Sequence, residues 1–290
     1  MHQIHLKNLP NKEEFSDFLQ DLNDLSLHER IIQNALKLIK KIEEIEVVLL
    51  EGSLALDRGD VFSDIDFYII LNDGQQIEFV REKILKNLEK IGKVLHIYMS
   101  NANKKDLIIY FSPFIKFELI LRGLEFMTQK DKFTKNAKIL FDRNGLGKKA
   151  FEKGKSKEFR IEKHIFEIQN FAISVPSLCF IAAGYLKRGE IITSMDFVAW
   201  IRRNLMRISG FLLGMKDEGT RRAEERFPKE INEFYHQIKI DTLNELWESL
   251  ETILSYYANF LAPEFKKHNI PSAKEEVPLI SAMIKKLRTH

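Results

Sequence analysis

The first half of the chain alternates between short apolar runs and longer stretches in which apolar residues recur at helical spacing. Two capping-box patterns, Asn11–Glu14 and Ser26–Glu29, predict two helices before the first strand, the second running toward Ile45. A third amphipathic helix is predicted over 77–91. The runs with strand character predict extended segments at 46–50, 64–71, 94–99, 107–111, 114–121 and 138–142.

Beyond about Phe159 the pattern becomes helical, with few strand signals. The polar stretch Lys148–Glu158 before it is the predicted linker. These patterns predict an α+β protein, with a mixed sheet and flanking helices in residues 1–150 and an all-helical bundle in residues 151–290. Residues 1–30 are interpreted as a helical extension of the first domain, with no role assigned. The predicted helices of the bundle are 159–188, 194–214, 217–238, 241–262 and 273–288.

Composition and charge narrow the class of protein. The 290 residues are 44% hydrophobic and 30% charged with a net charge of +3, typical of a globular protein that can bind an anionic nucleotide. A charge this small does not indicate a nucleic-acid partner. The single cysteine, Cys179, lies in an apolar segment and is predicted to pack in the core. With no apolar leader and no run of 18 apolar residues, we expect a cytoplasmic protein without a membrane span.

The segment from Val47 to Leu71 carries the candidate chemistry. An apolar strand ends in Gly52-Ser53, and a second strand carries Asp64 and Asp66 at spacing two. Strand side chains alternate in direction, so the two carboxylates share one face. Because neighbouring carboxylates repel each other, such a pair is typical of a divalent-cation site. The glycine turn, with a hydroxyl and amide donors at a helix start, suits the phosphates of a metal-bound triphosphate.

Glu118 is the third candidate acid. It lies in the β-rich run I-K-F-E-L-I-L, which should pair beside the strand of Asp64 and Asp66. Lys116 and Glu118 then share one strand face, and a polar pair in so apolar a run indicates a cleft. Glu118 could bind a second metal ion or accept the proton of an attacking hydroxyl. The alternative is an edge pair with Lys116 that has no chemical role.

With these residues placed, the chain resembles the nucleotidyltransferase superfamily, the group with the palm of DNA polymerase β. Gly-Ser followed by D-x-D, between two apolar strands, is its signature. Within it, the chain is most similar to the lincosamide nucleotidyltransferases, relatives of the aminoglycoside adenylyltransferases. That resemblance covers about residues 35–215 and rests on G-S-x6-D-x2-S-D-I-D-F-Y-I and on the later segments F-E-L-I-L, K-I-L-F-D-R-N-G and Y-L-K-R-G-E.

The resemblance implies an N-terminal nucleotidyltransferase domain and a helical substrate-binding domain. The implied enzyme transfers a nucleoside monophosphate from an NTP to a hydroxyl of a small molecule, such as a lincosamide or an aminoglycoside, and releases pyrophosphate. Its expected NTP is ATP and its expected cofactor is Mg²⁺, in one or two ions. The implied site residues are Asp64 and Asp66 as metal ligands, Glu118 as ligand or base, and Gly52 and Ser53 on the phosphates.

Lys187 is a further candidate for nucleotide binding. It ends a predicted helix just before Gly189, where a basic side chain also favours the helix terminus electrostatically. A homodimer is left open as the assembly. Two other functions are kept beside the leading one: nucleotidyl transfer to the end of a protein or an RNA, and nucleotide binding in a regulatory module without catalysis.

Overall fold

The computed structural model divides the chain into two units, Met1–Lys157 and Glu158–His290, each with its own hydrophobic core. The predicted boundary at residue 150 lies inside a helix of the first unit. The residues that the structure describes are 3–100, 106–128, 137–153 and 159–289.

A mixed sheet forms the centre of the first unit, and seven strands belong to it among the described residues. The strands are β1 (Gln3–Ile4), β2 (Ile45–Glu51), β3 (Ile65–Leu71), β4 (Val94–Met99), β5 (Leu107–Phe111), β6 (Ile115–Gly123) and β7 (Lys138–Asp142). Their order is β1-β4-β5-β6-β3-β2-β7, in which β3 and β6 are parallel and the other neighbours are antiparallel. The mixed sheet and the α+β class are thus confirmed.

The six predicted strands are all present, with ends that differ from the prediction by at most two residues. Continuous apolar runs between turn residues made them readable, because such runs are too short for a buried helix. The structure adds β1, which pairs with β4 at the sheet edge. A two-residue strand is too short to show any periodicity.

The first unit also contains the helices α1 (Lys12–Gln20), α2 (Ser26–Ile39), α3 (Gly52–Ala55), α4 (Ile77–Leu85), α5 (Glu125–Thr128) and α6 (Leu146–Lys153). The capping box of Asn11 and Glu14 is confirmed at the start of α1. The one predicted at Ser26 is wrong, because Ser26 is itself the first helical residue and its N–H donates to the carboxylate of Asp24. The helix predicted over 77–91 ends earlier, at Leu85, and a short 3₁₀ turn follows.

The predicted linker is wrong in its first part, because helix α6 extends into it. The first part of the polar stretch Lys148–Glu158 is helical, and residues 154–158 lie outside the described residues. The carboxylate of Asp142 accepts hydrogen bonds from the N–H groups of Gly147 and Lys148 and so satisfies two donors of the first turn. Leu146, Ala150 and Phe151 pack on a small apolar cluster beside β2. The many polar residues of this stretch therefore concealed an amphipathic helix.

The second unit is helical in all of its described secondary structure, as predicted. Its helices are α7 (Ile165–Lys187), α8 (Ile191–Leu212), α9 (Ala223–Arg226), α10 (Lys229–Gln237), α11 (Leu243–Tyr256), α12 (Ala262–Lys267) and α13 (Val277–Thr289), with a π-helical turn over Tyr257–Leu261. The single helix predicted over 217–238 is wrong: Pro228, which has no N–H to donate, separates α9 from α10.

Helix α7 is the central helix of the second unit. Among the described residues it is the one helix whose length and composition would allow it to cross a membrane. It packs on α8, α11 and α13, and Cys179 is fully buried in it, as predicted. The buried side chains of α7, among them Ile168, Val175 and Leu186, contribute to the core of the unit, whereas Phe166 and Ile173 on the same helix are exposed.

Candidate active site

Strand β2 ends in a turn that requires glycine. Gly52 has φ +73°, a left-handed conformation that residues with a Cβ rarely adopt. A Cβ at this position would also lie 2.2 Å from Oδ2 of Asp66. Gly52 and Ser53 begin α3, and the buried Leu54 of that helix fixes the turn to the core. The turn therefore leaves room for the Asp66 carboxylate directly beside the backbone.

The loop before β3 is fixed by hydrogen bonds around Ser63. The N–H of Asp60 donates to Ser63 Oγ at 3.0 Å, and Ser63 Oγ donates to Asp60 Oδ1 at 3.1 Å. Nε2 of the buried His28 lies 3.0 Å from the carbonyl oxygen of Ser63, an oxygen that can only accept. Burial lowers the pKa of His28. Asp64 follows Ser63 directly, so its backbone starts from a well-held position.

Strand pairing brings acids from three strands into one row. Glu51 of β2 pairs with Asp66 of β3, and Asp66 pairs with Glu118 of β6. Partners in register point to the same face, and neighbouring strands lie about 4.8 Å apart. The predicted pairing of the Glu118 strand beside β3 is confirmed. Sequence reasoning missed Glu51, although its place directly before Gly52 at the end of an apolar strand was a usable signal.

Lys116 lies between two of the candidate acids. Its Nζ is 2.6 Å from Oδ2 of Asp64 and 2.5 Å from Oε1 of Glu118. Burial acts to lower the pKa of this ammonium, but hydrogen bonds to Asp64 and Glu118 outweigh it and raise that pKa. All three side chains are about a quarter exposed. The expected Lys116–Glu118 pair is thus part of a three-residue ionic bridge that includes Asp64.

Tyr68 is a second residue that sequence reasoning missed. It follows Asp66 by two positions in β3, and its ring stacks on Phe126 with a centroid separation of 5.7 Å. Burial, together with the charges of Glu51 and Asp66, raises the pKa of its hydroxyl. Spacing of two from Asp66 was the available signal. A hydroxyl that stays protonated next to these acids can act as a hydrogen-bond donor on the same face.

The carboxylates have the chemistry of a magnesium site, since Mg²⁺ prefers oxygen ligands. Among the described residues, however, no group of three acid, histidine or cysteine side chains stands ready to hold an ion. Lys116 already supplies a positive charge between Asp64 and Glu118. Asp66, in the space that Gly52 leaves, and Asp64 are the candidate ligands of one cation, and an ion bound to Asp64 or to Glu118 would have to compete with this ammonium.

The structure places Lys187 in the second unit, as the exposed last residue of α7. Gly189 has φ +75°, the left-handed conformation expected after a helix end. Next to them, Nε of Arg188 donates to Glu190 Oε1 at 2.5 Å. Asp64, Asp66, Glu118, Gly52 and Ser53 all belong to the first unit, where adjoining strands and one turn bring them together. Nucleotide binding by Lys187 stays a prediction.

A mixed sheet with a Gly-Ser turn, an aspartate pair at the start of the next strand (Asp64 directly before β3 and Asp66 in it) and a third acid in register is the arrangement of the nucleotidyltransferases. The chain is an enzyme of that class. It belongs to the streptomycin adenylyltransferase family, whose sequence profile matches residues 26–276. The predicted superfamily and the resemblance to the aminoglycoside adenylyltransferases are confirmed, whereas the closer resemblance to the lincosamide nucleotidyltransferases stays a prediction.

Several solved structures resemble the chain at low TM-scores. An aminoglycoside 6-adenyltransferase from Bacillus subtilis is 15% identical, with 90% of this chain and 97% of that chain covered and a TM-score of 0.40. A spectinomycin adenyltransferase from Enterococcus faecialis, crystallised with ATP and spectinomycin, is 14% identical over 91% and 99% of the two chains, with a TM-score of 0.34. A nucleotidyltransferase-like protein from Exiguobacterium sibiricum is 11% identical over 82% and 77%, with a TM-score of 0.40. A search of curated protein sequences gave no match.

Proposed function

We propose that the protein is a metal-dependent adenylyltransferase that transfers AMP from ATP to a hydroxyl of a small molecule, as an antibiotic-modifying enzyme. The observation that carries this proposal is the register of Asp66 with Glu118, on the face that also holds Asp64 and the Gly52 turn. Family membership supports ATP as the donor and an antibiotic as the acceptor. A cytoplasmic location and a homodimeric assembly are further proposals that accompany this function.

In this reaction the acceptor oxygen forms a bond to the α-phosphorus of ATP, and the bond to the departing pyrophosphate breaks. Asp64 and Asp66 would hold Mg²⁺, and the bound ion would neutralise charge on the phosphate oxygens. Ser53 and the Gly52 backbone would contact the β- and γ-phosphates at the start of α3. Glu118 would accept the proton that leaves the acceptor hydroxyl, or would bind a second ion that acidifies it.

The position of Lys116 implies that its ammonium moves before Glu118 can act, which the sequence did not indicate. Its ammonium donates to Glu118 and Asp64 at once, so it fixes both carboxylates before any substrate is bound. Charge-assisted hydrogen bonds of this length are stronger than neutral ones. For Glu118 to take a proton from the acceptor, or for an ion to bind to Asp64 or Glu118, this ammonium has to shift away from them, toward a substrate phosphate. Lys116 therefore holds the third acid in a resting position.

The test is a transfer assay with Mg-ATP and a panel of hydroxyl-bearing antibiotics: streptomycin, spectinomycin, lincomycin and chloramphenicol. We expect pyrophosphate release that depends on one acceptor, and a mass increase of that acceptor by one AMP. The Asp66→Asn variant is the control for contaminating activity. If ATP binds but neither signal exceeds this control, the protein is a regulatory nucleotide-binding module. If AMP is found instead on added protein or RNA, the acceptor class is wrong.

A further inference from the structure

A cavity of about 340 Å³ opens beside Asp64 and Lys116 in the first unit. Its walls come from three places: helix α1, the loop before β3, and the turn between β5 and β6. Five of the ten residues that line it are aromatic, and we call these five the rim: Phe15, Phe18, Phe62, Tyr110 and Phe114. Gly52, Ser53 and Asp66 are not among its lining residues. The cavity thus borders the acid site at Asp64 and Lys116, whereas Glu118, like the turn assigned to the phosphates, lies outside its lining.

Helix α1 is held in place as a wall of this cavity. Glu14, which closes the capping box of α1, accepts from Nζ of Lys93 at 3.2 Å. The ring of Phe15 meets the ring of Phe114 edge-on, with centroids 6.4 Å apart. Beyond the helix, the N–H of Val61 donates to the carbonyl of Leu22 at 2.9 Å. The N-terminal extension, to which the sequence assigned no role, therefore packs against the loop that leads into Asp64.

Several large apolar side chains of the rim are exposed to solvent. Phe62 is 67% exposed, Phe114 47% and Phe15 41%. A single exposed phenylalanine is ordinary, whereas several around one concavity mark a binding surface. Phe114 also has φ +112°, a conformation costly for any residue with a side chain. The fold holds this ring at the cavity mouth even though its backbone is unfavourable there.

The charges of the lining decide which ligand the cavity suits. The lining has one acidic side chain, Asp64, and one basic side chain, Lys116. They form an ion pair in which Nζ of Lys116 lies 2.6 Å from Oδ2 of Asp64. A polycation in the cavity would lose hydration without gaining a free carboxylate. On binding, an uncharged aromatic or alkyl group would remove only apolar surface from water, and it would gain contacts with the rings. At about 340 Å³ the cavity is at the small end of ligand pockets, so it fits part of a molecule.

We infer that this cavity, with helix α1 as a wall, binds an uncharged apolar part of the acceptor and places a neighbouring hydroxyl beside Asp64. The inference rests on the proposed function for the position of the reacting hydroxyl. It deepens that function by naming the acceptor class: a hydroxyl compound with an aromatic or alkyl group rather than a polycationic sugar. The contact between the substrate and Phe62, the most exposed phenylalanine of the lining, is the part of the inference that is easiest to test.

The experiment measures binding by calorimetry for three probes: chloramphenicol, which is uncharged and aromatic, lincomycin, which carries an alkyl chain, and streptomycin, a polycation. Phe62→Ala is compared with Phe79→Ala, a matched loss of an exposed ring on α4 of the same unit, where Phe79 is 53% exposed. We expect wild type to bind chloramphenicol or lincomycin more tightly than streptomycin. Phe62→Ala should weaken that binding about tenfold, or about 1.4 kcal/mol, and Phe79→Ala less than twofold.

ATP binding is measured in parallel and should be the same in wild type and both variants. Phe62→Leu, which keeps an apolar contact, should give an intermediate affinity, and thermal unfolding checks that all variants fold. Four outcomes would overturn the inference: tighter binding of streptomycin, no binding of the apolar probes, equal effects of the two alanine variants, or a Phe62 effect on ATP instead. The last would assign the cavity to the nucleobase.

The proposed function and this inference fail in different ways. If apolar binding depends on Phe62 but no probe receives AMP, the transfer reaction is wrong and the cavity remains a binding site. If AMP is transferred to streptomycin with kinetics that Phe62→Ala leaves unchanged, the reaction stands and the cavity has no part in choosing the acceptor.

Discussion

Asp66 and Phe67 are neighbours in β3, but they belong to two faces of the sheet with opposite properties. We call the face of Ile65, Phe67, Phe117 and Leu119 the apolar face; each of these side chains is at most 1% exposed. The face of Asp66, Lys116 and Glu118 is the acidic face, where the side chains of Lys116 and Glu118 remain about a quarter exposed. Because side chains alternate along a strand, β3 supplies core packing and candidate chemistry independently.

The side chains of the two faces are also stabilised by different interactions. On the apolar face the rings of Phe67 and Phe117 contact each other, with centroids 5.1 Å apart, and are covered by helices. On the acidic face, partial exposure and the ammonium of Lys116 offset the cost of placing carboxylates side by side. We therefore expect substitutions on the apolar face to change stability with little specific effect on catalysis. Loss of a carboxylate charge on the acidic face should mainly change catalysis.

The largest effect is expected from Asp66→Asn on the acidic face. Loss of a charged metal ligand should lower kcat/KM by about a thousandfold or more, since metal stabilisation of the transition state is worth several kcal/mol. The free energy of unfolding without divalent ions should change by less than about 1 kcal/mol. Steady-state transfer assays and urea unfolding measure the two quantities, with the exposed Asp17→Asn as control. Transfer at the wild-type rate would remove Asp66 from the site.

Phe67→Ala tests the other face at the adjacent residue. Removing a fully buried ring should lower the free energy of unfolding by about 3–5 kcal/mol, from lost burial and the cavity left behind. Phe79→Ala, at a half-exposed ring, should cost less than about 1 kcal/mol. Urea unfolding compares the two. The folded fraction of Phe67→Ala should retain its KM for ATP, and a large specific change in that KM would show that the two faces are coupled.

Glu118→Gln sharpens the comparison, because it keeps the shape of the acidic face and removes one charge. We expect kcat to fall by about a hundredfold or more while the KM for ATP changes little. If Glu118 is the base, the acidic limb of the pH–rate profile should flatten. If it is an ion ligand, raised Mn²⁺ should restore part of the rate. The exposed Glu89→Gln serves as control, and an unchanged kcat would make the Lys116–Glu118 pair purely structural.

Of the four variants, Lys116→Met should have the smallest effect, a decrease in the free energy of unfolding. It leaves Asp64 and Glu118 close together without a cation, which should cost about 1–2 kcal/mol without divalent ions, less than for a fully buried pair. Added Mg²⁺ should recover part of that loss. Lys93→Met, which breaks an exposed pair with Glu14, should lower the free energy of unfolding by clearly less than Lys116→Met does, because solvent screens exposed pairs. An equal cost in both variants would mean that the bridge does not hold the acids together.

The same variant predicts a pH dependence. The folded-state pKa of Lys116 is raised above its unfolded value of about 10.4, so its stabilising contribution is fully present below that pH. It is lost as pH rises through the folded-state pKa. The stability advantage of wild type over Lys116→Met should therefore be constant from pH 7 to about 10 and then decline. Urea unfolding across this range measures it, and a decline already below pH 9 would contradict the raised pKa.

The sequence predicted the strands and the candidate acids because both depend on local patterns. Apolar runs define β2 and β3, and spacing of two sets the direction of Asp66. The ionic bridge could not be predicted, since Lys116 meets Asp64 only through the parallel pairing of β3 with β6. Long-range register is not written in the periodicity of either strand. The break at Pro228 was readable, and the helical periodicity on both sides of it was weighted too strongly.

The cavity was hidden for a similar reason. Phe15 and Phe62 are ordinary apolar residues in the sequence, and only tertiary packing brings them to one rim next to Asp64. The wall α1 was readable as a helix from its capping box, but its partner surface was not. Local signals thus identified the elements of the first unit and some of its acids, whereas the substrate-facing surroundings of those acids required the fold.

Gly52 offers an experimental tool that no acidic residue provides. Its Cα lies so close to the Asp66 carboxylate that one added methyl group would have to push that carboxylate away, on a backbone that already resists side chains. Gly52→Ala should therefore silence the enzyme without altering a single charge. Such a protein would be a charge-matched, inactive comparison for studies of acceptor binding.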